Sequence, residues 1–367
     1  MAEKKIRRIG ILTSGGDAPG MNAAVRAVTR SAISRGIRVM GILKGYRGLI
    51  DGEIVEYNER SVSNIIDRGG TVLYSDRCDE FRYEPGIKKA AETCAEFEID
   101  GIVAIGGDGT FRGARDLSRK DILMIGVPGT IDNDITATDY CIGFDTAMNT
   151  VISMVDRLRD TSESHARCSV VEVMGRDAGQ IALQCGIAVG ASGIVIKELC
   201  YHGAELDEAK LNKIEAEILA GMKQSRANNK RNFIVIVSEG MGEQYAEGLT
   251  KKLMDAKFDS RFARLAHVQR GGSPTLRDRF AATQLGDRAV ELILEGKKNL
   301  IVGYLNDKLV DIDIEYALNL DKRYKGKMTD AEFAQLSEAD RNNINEHILK
   351  KQADINNLFE LYKRMSI

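Results

Sequence analysis

The sequence predicts an α/β protein with mostly parallel sheets that are divided between two domains. Three observations lead to this prediction. The chain has 367 residues, which is long for a single domain. Short apolar runs alternate with helical patterns, as expected when helices connect parallel strands. Finally, IGILTSGGDAPG at 9–20 and SVVEVMGRDAG at 169–179 both read as a strand, a glycine turn with Asp-Ala and a helix, which indicates two domains of similar build.

The predicted strands are short apolar runs that end at turn residues. Most are apolar throughout, which indicates strands covered on both faces. They are residues 8–13, 38–42, 101–105, 124–127, 168–173, 193–196 and 233–237. The clearest helical patterns between them are residues 23–35, 87–97 and 146–159. The uncharged stretch 178–196 is interrupted by glycine and glutamine, so we interpret it as a buried helix followed by a strand.

The tail from about residue 325 differs from the rest of the chain because it is polar and helical in pattern. Apolar side chains recur in it at helical spacing, at Leu358, Leu361, Tyr362 and Met365. Such a stripe usually docks a helix on the body of a protein, and we expect that here.

The composition is that of an ordinary globular protein. With 52 basic and 54 acidic residues the net charge is −2, which does not point to a nucleic-acid or membrane-surface partner. The six cysteines form no CxxC pair, so we expect reduced, mostly buried thiols and a cytoplasmic location. No apolar segment follows the basic N-terminus, so we expect no signal peptide.

The first candidate for chemistry is the turn SGGDAPG at 14–20, directly after a predicted strand. Glycines let backbone N–H groups approach a phosphate, and the helix that follows adds its positive end. Turns of this kind are also often purely structural, so this motif alone does not identify a site.

The second candidate is GGDGT at 106–110, in which Asp108 lies inside a glycine turn at a strand end. Its carboxylate could hold Mg²⁺ while backbone amides hold phosphate oxygens. It could equally cap the helix that follows.

The third candidate is PGTIDND at 128–134, which also follows a predicted strand. Asp132 and Asp134 could serve as a base and a metal partner. The alternative is a turn in which Asp and Asn side chains bond their own backbone.

Basic residues complete the pattern. Arg167, Arg176 and Arg270 each lie beside a predicted strand end or glycine turn, and arginine makes bidentate contacts to phosphate. Arg261 and His267 lie nearby in sequence, although a lone arginine or histidine is more often a surface charge or a structural residue. Together with the acidic turns, these residues predict phosphoryl transfer to an anionic acceptor, without identifying that acceptor.

Six segments together resemble the phosphofructokinase family, in order and at similar spacing over roughly residues 6–320. They are GILTSGGDAPGMNAAVR, RGGT, IGGDGT, PGTIDND, RLRDTSESHARCSVVEVMGRDAG and HVQRGGSPTLRDR. GGDGT alone also occurs in NAD kinases and diacylglycerol kinases, which lack the other segments. The resemblance implies two Rossmann-like three-layer domains with mostly parallel sheets and an active site in the cleft between them. Residues 1–142 with 255–305 would bind ATP, 143–254 with 306–325 would bind fructose 6-phosphate, and 326–367 would form a helical C-terminal extension.

The resemblance also implies a role for each matching residue in ATP-dependent phosphorylation of the fructose 6-phosphate 1-hydroxyl. Asp132 would be the general base, with Mg²⁺ on Asp108 and Asp134 close to it. Thr130 and Arg176 would stabilise the transferred phosphoryl group. The expected ATP-binding residues are Gly16, Tyr46, Arg77, Cys78, Gly107, Asp108, Gly109 and Thr110. The expected substrate-binding residues are Thr130, Ile131, Asp132, Arg167, Met174, Gly175, Arg176, Glu239, Arg261, His267, Val268, Gln269 and Arg270.

Two of these residues imply an oligomer. Arg167 and Arg261 would reach the substrate of a neighbouring subunit, usually within a homotetramer. Bacterial members also bind ADP or phosphoenolpyruvate between subunits, and the matching basic residues are Arg26, Arg30, Arg159, Lys230 and Arg231. Glu59 stands where a basic residue is typical of that effector site, and Ser192 where an acidic metal ligand is typical. We therefore expect the usual allosteric response to be absent.

The choice of donor depends on two glycines. In pyrophosphate-dependent members Asp is typical at the position of Gly109 and Lys at that of Gly129, and a carboxylate at the first would repel the α-phosphate of ATP. Glycine at both positions favours ATP. The alternatives are a pyrophosphate-dependent phosphofructokinase and a catalytically silent paralogue that binds sugar phosphate. The presence of Asp108, Asp132 and Arg176 argues against the silent paralogue. A dehydrogenase is disfavoured because neither turn has GxGxxG spacing.

Overall fold

The computed structural model describes residues 6–203 and 205–366. Residues 1–5, 204 and 367, which include the outer ends of the predicted ATP-binding domain and C-terminal extension, lie outside the described residues. The strands are β1 (Arg8–Ser14), β2 (Arg38–Ile42), β3 (Ile54–Tyr57), β4 (Gly101–Gly106), β5 (Leu123–Pro128), β6 (Cys168–Val173), β7 (Gly193–Val195), β8 (Tyr201–His202), β9 (Glu205–Leu206), β10 (Phe233–Ser238), β11 (Ser260–Arg264), β12 (Leu300–Leu305) and β13 (Lys308–Asp313).

Helices lie between most of these strands, which confirms the α/β prediction. They are α1 (Met21–Ser34), α2 (Tyr46–Asp51), α3 (Glu84–Glu96), α4 (Asp108–Ser118), α5 (Phe144–His165), α6 (Gln180–Ala188), α7 (Lys197–Cys200), α8 (Glu208–Ala227), α9 (Tyr245–Asp255), α10 (Leu276–Leu294), α11 (Ile314–Tyr324), α12 (Asp330–Ala334) and α13 (Glu338–Met365). Within the described residues, none of these helices has both the length and the apolar character needed to cross a bilayer.

The chain forms two compact units. The first unit comprises Met1–Thr146 and Arg270–Asp321, and the second unit comprises Ala147–Gln269 and Lys322–Ile367. The first unit contains a seven-stranded sheet of order β13-β12-β5-β4-β1-β2-β3. Its five inner strands are parallel, and the two edge strands run antiparallel to their neighbours. The inner strands are almost entirely buried because helices such as α1, α4 and α10 pack on the sheet.

The strand order of the first unit places a possible ligand site. From β1 the chain crosses to β2 on one side, whereas β4 pairs with β1 on the other side. At such a switch point the loops at the carboxyl ends diverge and leave a crevice, which is where open α/β sheets bind ligands. The loops after β1, β4 and β5 are the three turns that the sequence singled out.

The second unit is built on a four-stranded parallel sheet of order β11-β6-β10-β7. Its core includes Phe233 and Phe258, whose rings pack edge to face with their centroids 5.3 Å apart. The stretch 178–196 becomes α6 and β7, as predicted.

The C-terminal helix α13 packs against α6 of the second unit, which confirms the expected docking of the tail. The buried residues differ from the predicted stripe. Ile344, Ile355, Phe359 and Tyr362 are buried, whereas Leu358 and Leu361 are half-buried and Met365 is exposed. The predicted stripe differs from the observed buried face because a few apolar residues do not define which face of a long polar helix is buried.

The compact units also have different bounds from the predicted domains. Residues 255–305 were grouped with the N-terminal domain, but β11 pairs with β6 and therefore belongs to the second unit. Residues 306–325 were grouped with the other domain, but β13 pairs with β12 in the seven-stranded sheet. Both strands carry charged side chains along an exposed edge, so their sequences lack the continuous apolar run of an inner strand.

Candidate active site

Two of the glycine turns meet at the carboxyl ends of β1 and β4. The Thr110 hydroxyl donates a hydrogen bond to the Ser14 carbonyl over 3.0 Å. A Cβ placed on Gly106 would lie 2.3 Å from the same carbonyl oxygen, so the close approach of the two turns requires glycine there. The first unit therefore brings together the predicted phosphate-binding turns at 14–20 and 106–110.

Asp108 is the first residue of helix α4, and its carboxylate is partly exposed. Its Oδ1 accepts from the Gly109 N–H at 2.7 Å, and its Oδ2 pairs with Arg112 Nη2 at 2.9 Å. Gly107, not Asp108, is the N-cap residue of α4, and no side chain caps the helix there, so the helix-capping alternative is not realised. No other residue lies within 4 Å of a Cβ placed on Gly107 or Gly109, so the space in front of this turn is open.

Tyr46 and the segment 71–78 support these turns. The buried Tyr46 hydroxyl donates to the Thr110 carbonyl at 2.6 Å, and burial raises its pKa. Ser75, which sequence reasoning did not single out, donates to the Gly15 carbonyl at 2.6 Å. Arg77 is exposed and Cys78 is half-buried, and burial raises the pKa of the Cys78 thiol. Direct contacts of Tyr46, Arg77 and Cys78 with a nucleotide remain predictions.

The third turn, at 128–134, follows β5 and is tied to its neighbours by the backbone. Gly129 N–H donates to the Gly106 carbonyl at 3.0 Å, and Thr130 N–H to the Ile142 carbonyl at 3.0 Å. Asp132 is 2% exposed, and its N–H donates to the Thr130 hydroxyl at 3.2 Å. Burial of a carboxylate is costly, so a buried acid in a loop at a strand end is typical of a functional site.

Arg270 rests on the first turn, within the first unit. Its Nη1 donates to the Asp17 carbonyl at 3.2 Å, and a Cβ placed on Gly16 would lie only 2.8 Å from that Nη1. Glycine at position 16 therefore lets the guanidinium lie against the turn. The predicted contact of Arg270 with the sugar 6-phosphate remains a prediction.

In the second unit, residues 174–179 form a loop after β6, here called the Arg176 loop. Glu239 Oε1 accepts from the N–H groups of Gly175 at 3.0 Å and Arg176 at 2.6 Å. Gln269 Oε1 accepts from the Met174 N–H at 2.9 Å. The predicted substrate residues Met174, Gly175, Arg176, Glu239 and Gln269 are thus close together, and two of them hold the loop itself.

Arg167 and Arg261 share one carboxylate in the second unit. Asp259 accepts from Arg167 Nε at 2.8 Å and from Arg261 Nη1 at 2.5 Å. The Arg167 hydrogen bond, with both positive charges, lowers the pKa of Asp259. Asp259 was missed because its pairing with Arg167 depends on the register of β11 beside β6. His267 and Val268 are exposed in the 3₁₀ turn at Ala266–Arg270.

The sequence model of the family described as phosphofructokinase matches residues 8–293. This chain belongs to the phosphofructokinase family. It is 48% identical to the ATP-dependent 6-phosphofructokinase of Clostridium novyi over 326 residues, covering 89% of this chain and 98% of that protein. It is 48% identical to the Clostridium tetani protein of the same name, covering 88% and 97%.

Solved structures agree with the phosphofructokinase fold. The phosphofructokinase of Saccharomyces cerevisiae matches with a TM-score of 0.82 and 30% identity over 98% of this chain, which spans only 50% of that longer chain. A pyrophosphate-dependent phosphofructokinase from Marinobacter aquaeolei matches with a TM-score of 0.71 over 94% of this chain and 92% of its own. Its identity is 21%, so the second match shows the fold alone.

This phosphofructokinase brings together some residues of the expected effector site. In the second unit, Arg159 donates to the Val189 carbonyl, and burial together with the Arg159 charge lowers the pKa of Lys230. Tyr362 donates to the nearby Ser192 carbonyl at 3.1 Å. Arg231 and Glu59 are exposed, and Arg26 and Arg30 lie on α1 of the first unit. Effector binding by these residues remains a prediction.

A resident metal site is not formed by the described side chains. Among the side chains that the structure describes, which leave out His202, no three His, Cys, Asp or Glu lie close enough to hold an ion. Mg²⁺ that arrives with a nucleotide needs only one or two carboxylates, because phosphates and water supply its other ligands. The partly exposed carboxylate of Asp108, beside open space, fits that requirement.

Proposed function

We propose that this phosphofructokinase transfers the γ-phosphoryl group of ATP to the 1-hydroxyl of D-fructose 6-phosphate, giving fructose 1,6-bisphosphate and ADP in glycolysis. The observation that carries the proposal is the meeting of three turns at the carboxyl ends of β1, β4 and β5, with Asp108 partly exposed and Asp132 buried. The clostridial relatives named ATP-dependent 6-phosphofructokinase, 48% identical over nearly their whole length, support the choice of substrates.

Asp132 acts as the general base in this proposal. Its carboxylate takes the proton of the 1-hydroxyl as that oxygen forms a bond to the γ-phosphorus, and the bond from phosphorus to the bridging oxygen of ADP breaks. Mg²⁺ held by Asp108, with Asp134 near it, supplies positive charge to the phosphate oxygens when it is bound. Thr130, Arg176 and the Gly16 N–H stabilise the transferred group.

The binding residues follow the family pattern. The first unit binds ATP through Gly16 and 107–110, with Tyr46, Arg77 and Cys78 around it. The sugar is bound by Ile131, Met174, Gly175, Glu239, Val268 and Gln269. His267 and Arg270 hold its 6-phosphate, since arginine suits a phosphate dianion.

ATP rather than pyrophosphate is the proposed donor. Glycine at 109 leaves open space, in which a carboxylate would repel the α-phosphate of a nucleotide. A Cβ on Gly129 would lie 3.1 Å from Ile105 Cγ2, so a lysine there would crowd the end of β4.

The assembly proposed for this enzyme is a cytoplasmic homotetramer. Arg167 and Arg261 reach the 6-phosphate in a neighbouring subunit, and Asp259 holds both side chains in one place. Because Glu59 and Ser192 replace the residues typical of the effector site, the proposed enzyme lacks the usual response to ADP and phosphoenolpyruvate.

A coupled assay that detects fructose 1,6-bisphosphate tests this proposal. We expect turnover with Mg-ATP and little with pyrophosphate, and the reverse preference would contradict the donor. Asp132→Asn should lower kcat by about 10²–10⁴-fold with a smaller change in KM, because only the proton acceptor is lost. Asp139→Asn, at an exposed position just beyond the 128–134 turn, is the matched control and should stay within a few-fold of the parent. Near-normal kcat in Asp132→Asn would remove Asp132 from the base role.

A further inference from the structure

We propose that the C-terminal extension, residues 326–366, positions the Arg176 loop through an ion pair between Lys327 and Asp177. The inference rests on the proposed role of Arg176 at the transferred phosphoryl group. It concerns contacts within the second unit only, since 147–269 and 322–367 belong to it. The family match ends at residue 293, so the extension lies beyond the part of the chain that defines the family.

The Arg176 loop is held at its ends by carboxylates. Glu239 accepts from the N–H groups of Gly175 and Arg176, and Glu198 Oε1 accepts from the Gly179 N–H at 2.7 Å. Between these points Asp177 directs its carboxylate at two lysines. Lys197 Nζ on α7 lies 2.6 Å from Oδ1, and Lys327 Nζ of the extension lies 3.3 Å from Oδ2. The two ammonium groups lower the pKa of Asp177, Lys197 having the larger effect.

The loop has a conformation that needs such support. Arg176 has φ 51°, in the left-handed region, where a residue with a Cβ is disfavoured. The neighbouring residue Asp177 can restrain this conformation, because its carboxylate is held between α7 and the extension and so limits how far residue 176 can move. If Lys327 were lost, Asp177 would be drawn toward Lys197 alone, and the Arg176 backbone would shift with it.

The extension is packed against the rest of the second unit at both of its ends, so it can hold Lys327 in place. At its start, Gly326 approaches Gly203 so closely that a Cβ on Gly326 would lie 3.0 Å from the Gly203 Cα, and Met328 is buried. At its end, α13 packs on α6 and buries Phe359 and Tyr362. Helix α6 begins directly after the Arg176 loop, so the extension contacts both the acid in the loop and the helix that follows it.

The expected effect is modest, because both members of the ion pair are exposed. Exposed pairs contribute about 0.2–1 kcal/mol, which corresponds to roughly a 1.4–5-fold change in rate if the pair is felt only in the transition state. The same exposure makes the pair sensitive to salt. At about 1 M ionic strength the screening length falls to roughly 3 Å, so the contribution of Lys327 should disappear there.

The test is steady-state kinetics of full-length Lys327→Met with ATP and fructose 6-phosphate. We expect kcat to fall about 2–5-fold with little change in either KM, and the difference from the parent to vanish near 1 M salt. Lys327→Arg should restore kcat, because it keeps the charge. Lys322→Met is the matched control: it breaks another exposed lysine–carboxylate pair, with Glu332 at 2.7 Å, that includes no residue of the loop.

Hydrogen exchange of the substrate-free protein separates this inference from the proposed function. Lys327→Met should speed exchange of the Arg176 loop amides about 2–5-fold, and Lys322→Met should not. Unchanged exchange with unchanged kcat would overturn the proposal, and so would faster exchange with unchanged kcat. A parent protein without ATP-dependent activity would instead overturn the proposed function, and the exchange result alone would then decide whether Lys327 holds the loop.

Discussion

At the scale of single residues, Asp108 already has a competitor for any metal ion that it binds. Arg112, one helical turn along α4, places Nη2 2.9 Å from Asp108 Oδ2. Mg²⁺ at that oxygen would compete with the guanidinium for the same carboxylate. The pair is exposed on the arginine side, so displacement costs little, about 0.2–1 kcal/mol.

Arg112→Gln should therefore lower the Mg²⁺ concentration for half-maximal activity by about 1.4–5-fold, since the competing charge is removed. The measurement is a Mg²⁺ titration of initial rates at saturating substrates. Arg115→Gln on the same helix is the control, because Arg115 pairs with Asp116 and Glu315 instead. A higher Mg²⁺ requirement in Arg112→Gln would show that Arg112 does not compete with the metal ion in this way.

Tyr74, three residues after the RGGT segment, has a strained backbone conformation. Its φ is 59°, so the position favours glycine, and its side chain is exposed. Tyr74→Gly should stabilise the first unit by about 0.5–1 kcal/mol, which is the left-handed penalty less the entropy that glycine adds to the unfolded chain. Thermal unfolding should show a midpoint raised by about 1–4 °C.

The control for this change is Tyr83→Gly. Tyr83 is similarly exposed but has φ −120°, which suits a residue with a Cβ. That substitution should lower the thermal midpoint, and a rise in both variants would contradict the backbone explanation. The left-handed conformation could not be predicted, because it depends on bonds such as that from the Thr13 hydroxyl to the Tyr74 carbonyl.

At the scale of elements, helix α12 is held at its start by a capping box. Thr329 accepts from the Glu332 N–H, and Glu332 accepts from the Thr329 N–H at 3.0 Å and from Lys322 at 2.7 Å. The hydrogen bond from Lys322, followed by that from Thr329, lowers the pKa of Glu332 to about 2. The folded pKa is below the unfolded one, so this stabilisation is present above about pH 4.5 and is lost as the pH falls toward 2.

Carboxyl NMR titration of the full-length protein should find this low pKa, and Lys322→Met should raise it because the largest cause is removed. Arg323→Met is the control, since Arg323 pairs with Asp330 and not with Glu332. An unchanged titration of Glu332 in Lys322→Met would contradict the assignment.

The elements themselves show what periodicity can and cannot predict. Inner strands such as β4 and β6 were predicted within a residue of their bounds, because burial on both faces demands an apolar run. Edge strands β3, β11 and β13 were missed because one side faces water and their sequences mix charge with apolar residues. The inner strand β12 was missed as well. The turns at 14–20, 106–110 and 128–134 were predicted to carry chemistry because each follows an apolar strand. The carboxyl ends of parallel strands lie at one edge of a sheet. Partners such as Asp259, Glu198 and Lys327 were not predicted, because their contacts join segments far apart in the chain.

At the scale of the whole molecule, the proposed sharing of sites between subunits can be tested by complementation. Asp132→Ser and Arg261→Ala should each be nearly inactive alone. If they are unfolded and refolded together, about a quarter of the sites would receive Asp132 from one subunit and Arg261 from its neighbour, under random pairing across a two-fold interface. We therefore expect recovery of about a quarter of the parental rate.

Asp132→Ser mixed with Arg270→Ala is the control for complementation. Both residues belong to the first unit and, in the proposal, serve the site of their own subunit, so no mixed site is intact. Recovery in this control, or none in the first mixture, would contradict a site shared through Arg261.

The discontinuous first unit has a consequence for synthesis on the ribosome. Strands β6, β7, β10 and β11 lie between residues 168 and 264, so the four-stranded sheet can assemble while later codons are still being read. The larger sheet lacks β12 and β13 until residue 313 has left the exit tunnel. During that interval β5 presents an apolar, unpaired edge to solvent. Chaperones recognise surfaces of this kind, and nascent chains aggregate through them.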